Sequence, residues 1–213
     1  MDAQSIIEDW KRRLTKMANN PPYVFRDTPE NLIKQYRREL TAFDGYTERE
    51  VANAEAERGV SFPTVFRTFL LELARRPGDL FGGSKLAEIE DFEEFRLFAL
   101  KLMAQTDRSL VLPREAVVFM THQGYTFLYI LGTGGFDGPV IQWVEGHREP
   151  RQVSDTFAKM VDSELRLMER NDESWRSQGG YYVTLGPDAR IRTTVYPAYA
   201  TGDRPLDNAR KKQ

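Results

Sequence analysis

Cysteine is missing from all 213 residues, which removes disulfides, thiolate metal sites and a cysteine nucleophile. The lack fits a reducing compartment without demonstrating one, because many secreted proteins also do without cysteine. Histidine is nearly as scarce, with His122 and His147 the two copies. No His-Glu-x-x-His spacing or similar local ligand set surrounds either, so no metal is expected. Long apolar runs are absent too. No stretch approaches the length of a bilayer span, and the opening MDAQSIIEDWKRR lacks the uninterrupted apolar segment of a secretion signal. Nor does charge of one sign prevail: 30 Lys and Arg against 32 Asp and Glu leave a formal net charge of −2. That balance argues against generic attraction to nucleic acid or an anionic membrane. The expectation is a cytoplasmic protein with neither a membrane nor a direct nucleic-acid partner.

What is present is enough apolar material, 40% of residues, for one core of good size with additions. The most specific local grammar runs from Tyr46 to Gly83. Thr47 stands three residues before Glu50, a capping box, and Tyr46 with Val51 occupy the positions of a hydrophobic staple. Gly59 is placed to end that helix in a left-handed conformation, with Val60 as its apolar closure. Pro63 opens a second helix, whose apolar face is Phe66, Phe69, Leu70 and Leu73 and which Pro77 is expected to stop.

Around this stretch the period of apolar residues changes along the chain. Residues 5–18 and a segment started by Thr28-Pro29-Glu30 read as amphipathic helices, a helical extension over 1–45. Leu86 to Asp107 reads as a further helix, with Asp91 and Glu94 repeating the cap pattern. Strands are expected over Ala116–Met120, Tyr125–Leu131, Val140–Val144 and a short run ending near Val153; in the second of these both faces look occupied. Ser154 is expected to cap a helix with the stripe Phe157, Met160, Val161, Leu165 and Met168. Asn171–Gly180 reads as a polar connector, and Gly186-Pro187-Asp188 as the turn of a terminal hairpin. Thr201–Gln213 reads as a mobile basic tail. The expected fold is α+β, an antiparallel or mixed sheet packed with helices, with a core domain over 46–170 and the hairpin and tail over 171–213, all one compact domain.

Several quoted stretches together carry a family likeness. GVSFPTVFRTFLLEL followed by Asp79-Leu80-Phe81-Gly82-Gly83 resembles the opening of the SMI1/KNR4, or SUKH, superfamily. Phe62-Pro63 stands where a Leu-Pro step is usual, and Phe66 where tyrosine is common. EAVVFMTHQGYTFLYIL, DGPVIQWVEG and VSDTFAKMV look like the same family's sheet and closing helix, so the likeness spans roughly Thr47 to Met168. The resemblance implies a protein that acts by binding other proteins. Many bacterial members are immunity proteins that neutralise a cognate polymorphic toxin, often a nuclease; fungal members regulate cell-wall synthesis through protein contacts.

The residues themselves supply no catalytic set, and neither a cofactor nor an enzyme activity is assigned. Gly132, Gly134 and Gly135 follow a strand, but a phosphate loop must lead into a helix N-terminus, and here another strand follows. Glu88, Glu90, Asp91, Glu93 and Glu94 crowd a helix start, where the helix dipole already favours negative charge. The sharper reading adds Asp79 to this cluster as an acidic patch that mimics phosphates before a basic active site, with Asp79, Glu88, Glu90 and Asp91 assigned to partner binding. Trp143 is either a sheet core residue or an interface anchor, with Asp137, Glu145 and His147 beside it in the partner-binding set. The expected role is an immunity protein that occludes its toxin. The alternatives are a scaffold or regulator without a toxin, and a small hydrolase or transferase.

Overall fold

The structure is a computed structural model and describes residues 2–197; the basic tail expected over 201–213 lies outside them. Six α-helices are described, α1 (Ala3–Asn19), α2 (Glu30–Thr41), α3 (Glu48–Arg58), α4 (Thr64–Glu72), α5 (Phe92–Thr106) and α6 (Phe157–Ser177). The strands are β1 (Tyr23–Phe25), β2 (Ser84–Leu86), β3 (Ala116–His122), β4 (Thr126–Leu131), β5 (Val140–Val144), β6 (Arg151–Ser154), β7 (Tyr181–Leu185) and β8 (Ile191–Pro197). Contacts divide the chain into two units, residues 1–12 with 42–165 and residues 13–41 with 166–213. The fold is α+β. No described helix is long and apolar enough to cross a membrane.

In the first unit, β2 to β6 form an antiparallel meander in sequence order. Both faces of β4 are covered, with Thr126 to Ile130 all buried. Phe66 of α4 lies at the centre of an aromatic cluster, with ring centroids 5.6 Å from Phe62, 5.6 Å from Phe119 and 5.1 Å from Phe157. The start of α1 belongs to this core as well: Ile7 and Trp10 are buried, and the Trp10 indole donates to Asp162 Oδ1 at 3.1 Å.

The cap signals around Thr47 act as their spacing predicts. Thr47 Oγ1 accepts from the Glu50 amide at 3.3 Å while the Glu50 carboxylate accepts from the Thr47 amide at 2.7 Å. Gly59 ends α3 at φ +62°, and the Val60 amide reaches back to Glu55 O at 3.0 Å. Hydrogen bonds from the Thr47 side chain and amide, then from Arg75, hold the Glu50 carboxyl down at about 2. A carboxyl depressed on folding stabilises fully above its ordinary value of 4.5 and loses that contribution as pH falls towards 2. Glu50→Gln is therefore expected to flatten the fall in stability across that window, measured by urea unfolding at successive pH values, and to leave its shape above the window unchanged.

Four local expectations are corrected. Asp91 does not cap α5: a 3-10 turn, Ile89–Asp91, runs straight into the helix, and the Asp91 backbone is already helical with no side-chain cap bond. Helix α4 ends at Glu72, before Pro77, where the chain turns on Leu73. The polar stretch 171–177 is not a connector but the end of α6. Beyond Leu165 no residue of α6 is buried; local pairs such as Asp172 with Arg176 at 3.4 Å supply support there instead of an apolar stripe. Ser154 does not cap α6, since its hydroxyl donates to Thr156 O at 2.8 Å.

The second unit carries a mixed sheet ordered β1-β7-β8, with β1 parallel to β7 and β8 antiparallel to it. The turn Gly186-Pro187-Asp188 does join a hairpin. Strand β1 is unforeseen. Its Tyr23 and Phe25 rings lie 6.4 and 5.8 Å from Tyr36 of α2.

Candidate functional site

The acidic residues expected to work together occupy different places. Glu88 and Glu90 border a cleft of about 430 Å³ whose lining also includes Tyr46, Arg75, Leu80 and Leu86. The backbone beneath them is tied at alternate positions. The Ala87 amide donates to Phe119 O at 2.8 Å, the Ile89 amide to the Tyr46 hydroxyl at 3.2 Å and the Asp91 amide to Glu88 O at 2.9 Å. Ala87 and Ile89 are buried while Glu88 and Glu90 are exposed, so the chain turns its apolar residues in and its carboxylates out. Burial pushes the Tyr46 phenol up; the bond from Ile89 opposes this, and the charges of Glu90 and Glu88 add to the rise. Asp79 is exposed in the turn between Pro77 and Leu80, two residues of the cleft wall. Asp91 is half-buried, and Glu93 is paired with Arg58 at 2.9 Å.

Glu145 and His147 are exposed on the β5–β6 turn, at the opposite end of α5. The neighbouring Gly146 amide donates to Thr106 Oγ1 at 3.2 Å, at the last residue of that helix. A helix of 15 residues is about 22 Å long at 1.5 Å per residue, so these two do not join Glu88 and Glu90 in one patch. Trp143 is corrected outright as an exposed anchor. It is 1% exposed and stacks on Phe127, directly opposite on β4, with centroids 5.4 Å apart. Its ring is core.

Asp137 also faces inward. Its Oδ1 accepts from the Phe157 amide at 3.0 Å and the Gly138 amide at 2.8 Å, and its Oδ2 accepts from the Ala158 amide at 3.1 Å. The cap of α6 is thus shared between Asp137 and Thr156, whose Oγ1 accepts from the Lys159 amide at 3.1 Å. Ser154, the expected cap, instead donates to Thr156 O. The same loop also caps the start of α4: the Thr64 and Val65 amides donate to Gly135 O and Phe136 O, both at 2.9 Å. Gly135, Phe136 and Asp137 therefore serve the starts of two helices with two carbonyls and a carboxylate. Asp137→Ala leaves three amides without that acceptor and is expected to cost about 2 kcal/mol, with Asp137→Asn intermediate, by urea unfolding.

Residues 45–163 match the SMI1 / KNR4 family (SUKH-1). The chain belongs to that family. No curated protein matches it. In this SMI1/KNR4 protein the matched span begins at Gly45, beside the staple residue Tyr46, and ends within α6, so every residue named at the cleft lies inside it. Among the described residues no group of three or more His, Asp or Glu lies together as a metal site would require. Sequence reading missed Tyr46, Arg75, Ser84 and Leu86 as cleft residues. Strand β2, which supplies two of them, is three residues long and gives no periodic signal. Ser84 and His122 are cross-strand partners with Oγ and Nδ1 3.0 Å apart.

Proposed function

We propose that this SMI1/KNR4 protein is a cytoplasmic immunity protein that binds a cognate polymorphic toxin, of nuclease type, and neutralises it by occlusion. The observation that carries the reading is the cleft inside the family-matched span, where two outward carboxylates stand over apolar walls on a tied backbone. Such a surface suits the basic substrate path of an enzyme that handles phosphates, and charge of opposite sign speeds the encounter. Specificity then rests on shape and on the charges of the rim.

The test is co-expression with a toxin-like neighbouring gene product. Rescue of the cells together with a stable purified complex is expected. A product that kills cells regardless, with no complex recovered, sinks the reading. A scaffold or regulator without a toxin would form a complex and rescue nothing. A small hydrolase is favoured only by Ser84 and His122 at the cleft's edge. Their position opposite one another on β2 and β3 accounts for that contact without catalysis. Turnover of a simple ester that is abolished by Ser84→Ala would revive it.

A further inference from the structure

We infer that the cleft between Tyr46 and the Glu88–Glu90 segment receives one lysine or arginine side chain from the protein partner. The inference rests on the binding role proposed above and adds the chemistry of the group bound. The cleft has two kinds of surface. Pro77, Leu80 and Leu86 give it apolar walls. Glu88 and Glu90 stand exposed at its border, and neither has a side-chain partner among the described residues. The cation already in the cleft lining, Arg75, has its charge answered by Glu50 at 2.7 Å and its guanidinium 4.6 Å from the Tyr46 ring centroid, and it pairs with neither Glu88 nor Glu90. Two carboxylates therefore remain uncompensated on a fixed backbone.

A long basic side chain matches both surfaces, because its methylene stem covers apolar groups while its head stays with the carboxylates in water. A bare metal ion does not match. Hard cations take six or more oxygen ligands, and apolar walls offer none. A purely apolar side chain would strip water from the carboxylates without replacing it. Three backbone ties, at Ala87, Ile89 and Asp91, hold Glu88 and Glu90 before any partner arrives, so little ordering is left to be done on binding.

The test uses the full ¹⁵N-labelled chain, titrated with acetyl-Gly-Arg-Gly-amide and with the same peptide carrying uncharged citrulline. The arginine peptide is expected to shift the amides of Leu80, Leu86, Ala87 and Ile89. Citrulline, or the double variant Glu88→Gln/Glu90→Gln, should weaken binding by about fivefold or more, while Glu145→Gln leaves it unchanged. Equal binding of the two peptides, shifts confined to the β5–β6 turn, or an unaffected double variant each overturn the inference. The citrulline comparison needs no variant and so stands whatever the substitutions do to folding. If the wild-type chain captures its toxin and the double variant captures it equally well, the cleft assignment fails and the immunity reading survives. If no toxin is captured, the immunity reading fails and the peptide titration still decides the cleft.

Discussion

Replacing Phe66 with alanine is expected to cost about 3–5 kcal/mol of unfolding free energy, the largest loss of any single truncation in the first unit. The ring is fully buried and faces five others. Besides Phe62, Phe119 and Phe157 it has Phe69 at 6.2 Å and Phe92 at 6.5 Å. Those rings come from α4, α5, β3, α6 and the segment before α4, so one side chain touches most of the layers that make the core. Truncation leaves a cavity that rigid aromatic neighbours cannot collapse to fill. Phe66→Leu keeps most of the volume and should lose about 1.5 kcal/mol or less. Urea unfolding followed by far-ultraviolet circular dichroism separates the two. Equal losses for Ala and Leu would mean that ring packing contributes little here.

Gly45→Ala should be nearly as damaging, by about 3 kcal/mol, for a steric reason. A Cβ at Gly45 would stand 2.0 Å from Leu71 O and 2.1 Å from Leu71 C. These are backbone atoms at the end of α4, so no rotamer change relieves the clash. The neighbouring ties, Tyr46 N–H to Leu70 O at 2.9 Å and Arg76 N–H to Asp44 O at 3.0 Å, hold the two segments at that distance. Gly82→Ala is the control: its Cβ would meet one atom, Asp79 O, at an ordinary 3.7 Å, and stability should change by less than about 0.5 kcal/mol. Because Tyr46 walls the cleft, Gly45→Ala should also weaken arginine-peptide binding, whereas Phe66→Leu should spare it.

Interactions that close within a few residues were readable from the chain. The Thr47–Glu50 box, the Gly59 terminus and the doubly covered β4 all write themselves into local spacing. Pairings that close over long separations were not. Strand β1 is three residues long and exists because β7 lies beside it, Tyr23 against Tyr181. Asp137 reaches its helix from twenty residues upstream, so no cap pattern marks it, and an acid in a glycine loop looks available to a partner. The far end of α6 failed in the opposite way. Helices that bury no face there show no apolar stripe, and polar composition then mimics a connector. At the candidate site, the pairing of Glu88 with Glu90 was legible as acidity. Their separation from Glu145 was not, because it depends on the length of α5 and on where the β5–β6 turn meets it.

The place of Trp10 has a consequence for how the molecule is made. Its ring lies 6.2 Å from Phe157, and its indole hydrogen-bonds Asp162. A ribosome adding about 5–20 residues per second needs on the order of ten seconds or more to get from one to the other. Throughout that interval the Trp10 ring lacks both its aromatic neighbour and its hydrogen-bond acceptor. Trp10 is thus made well before the partners that fix it.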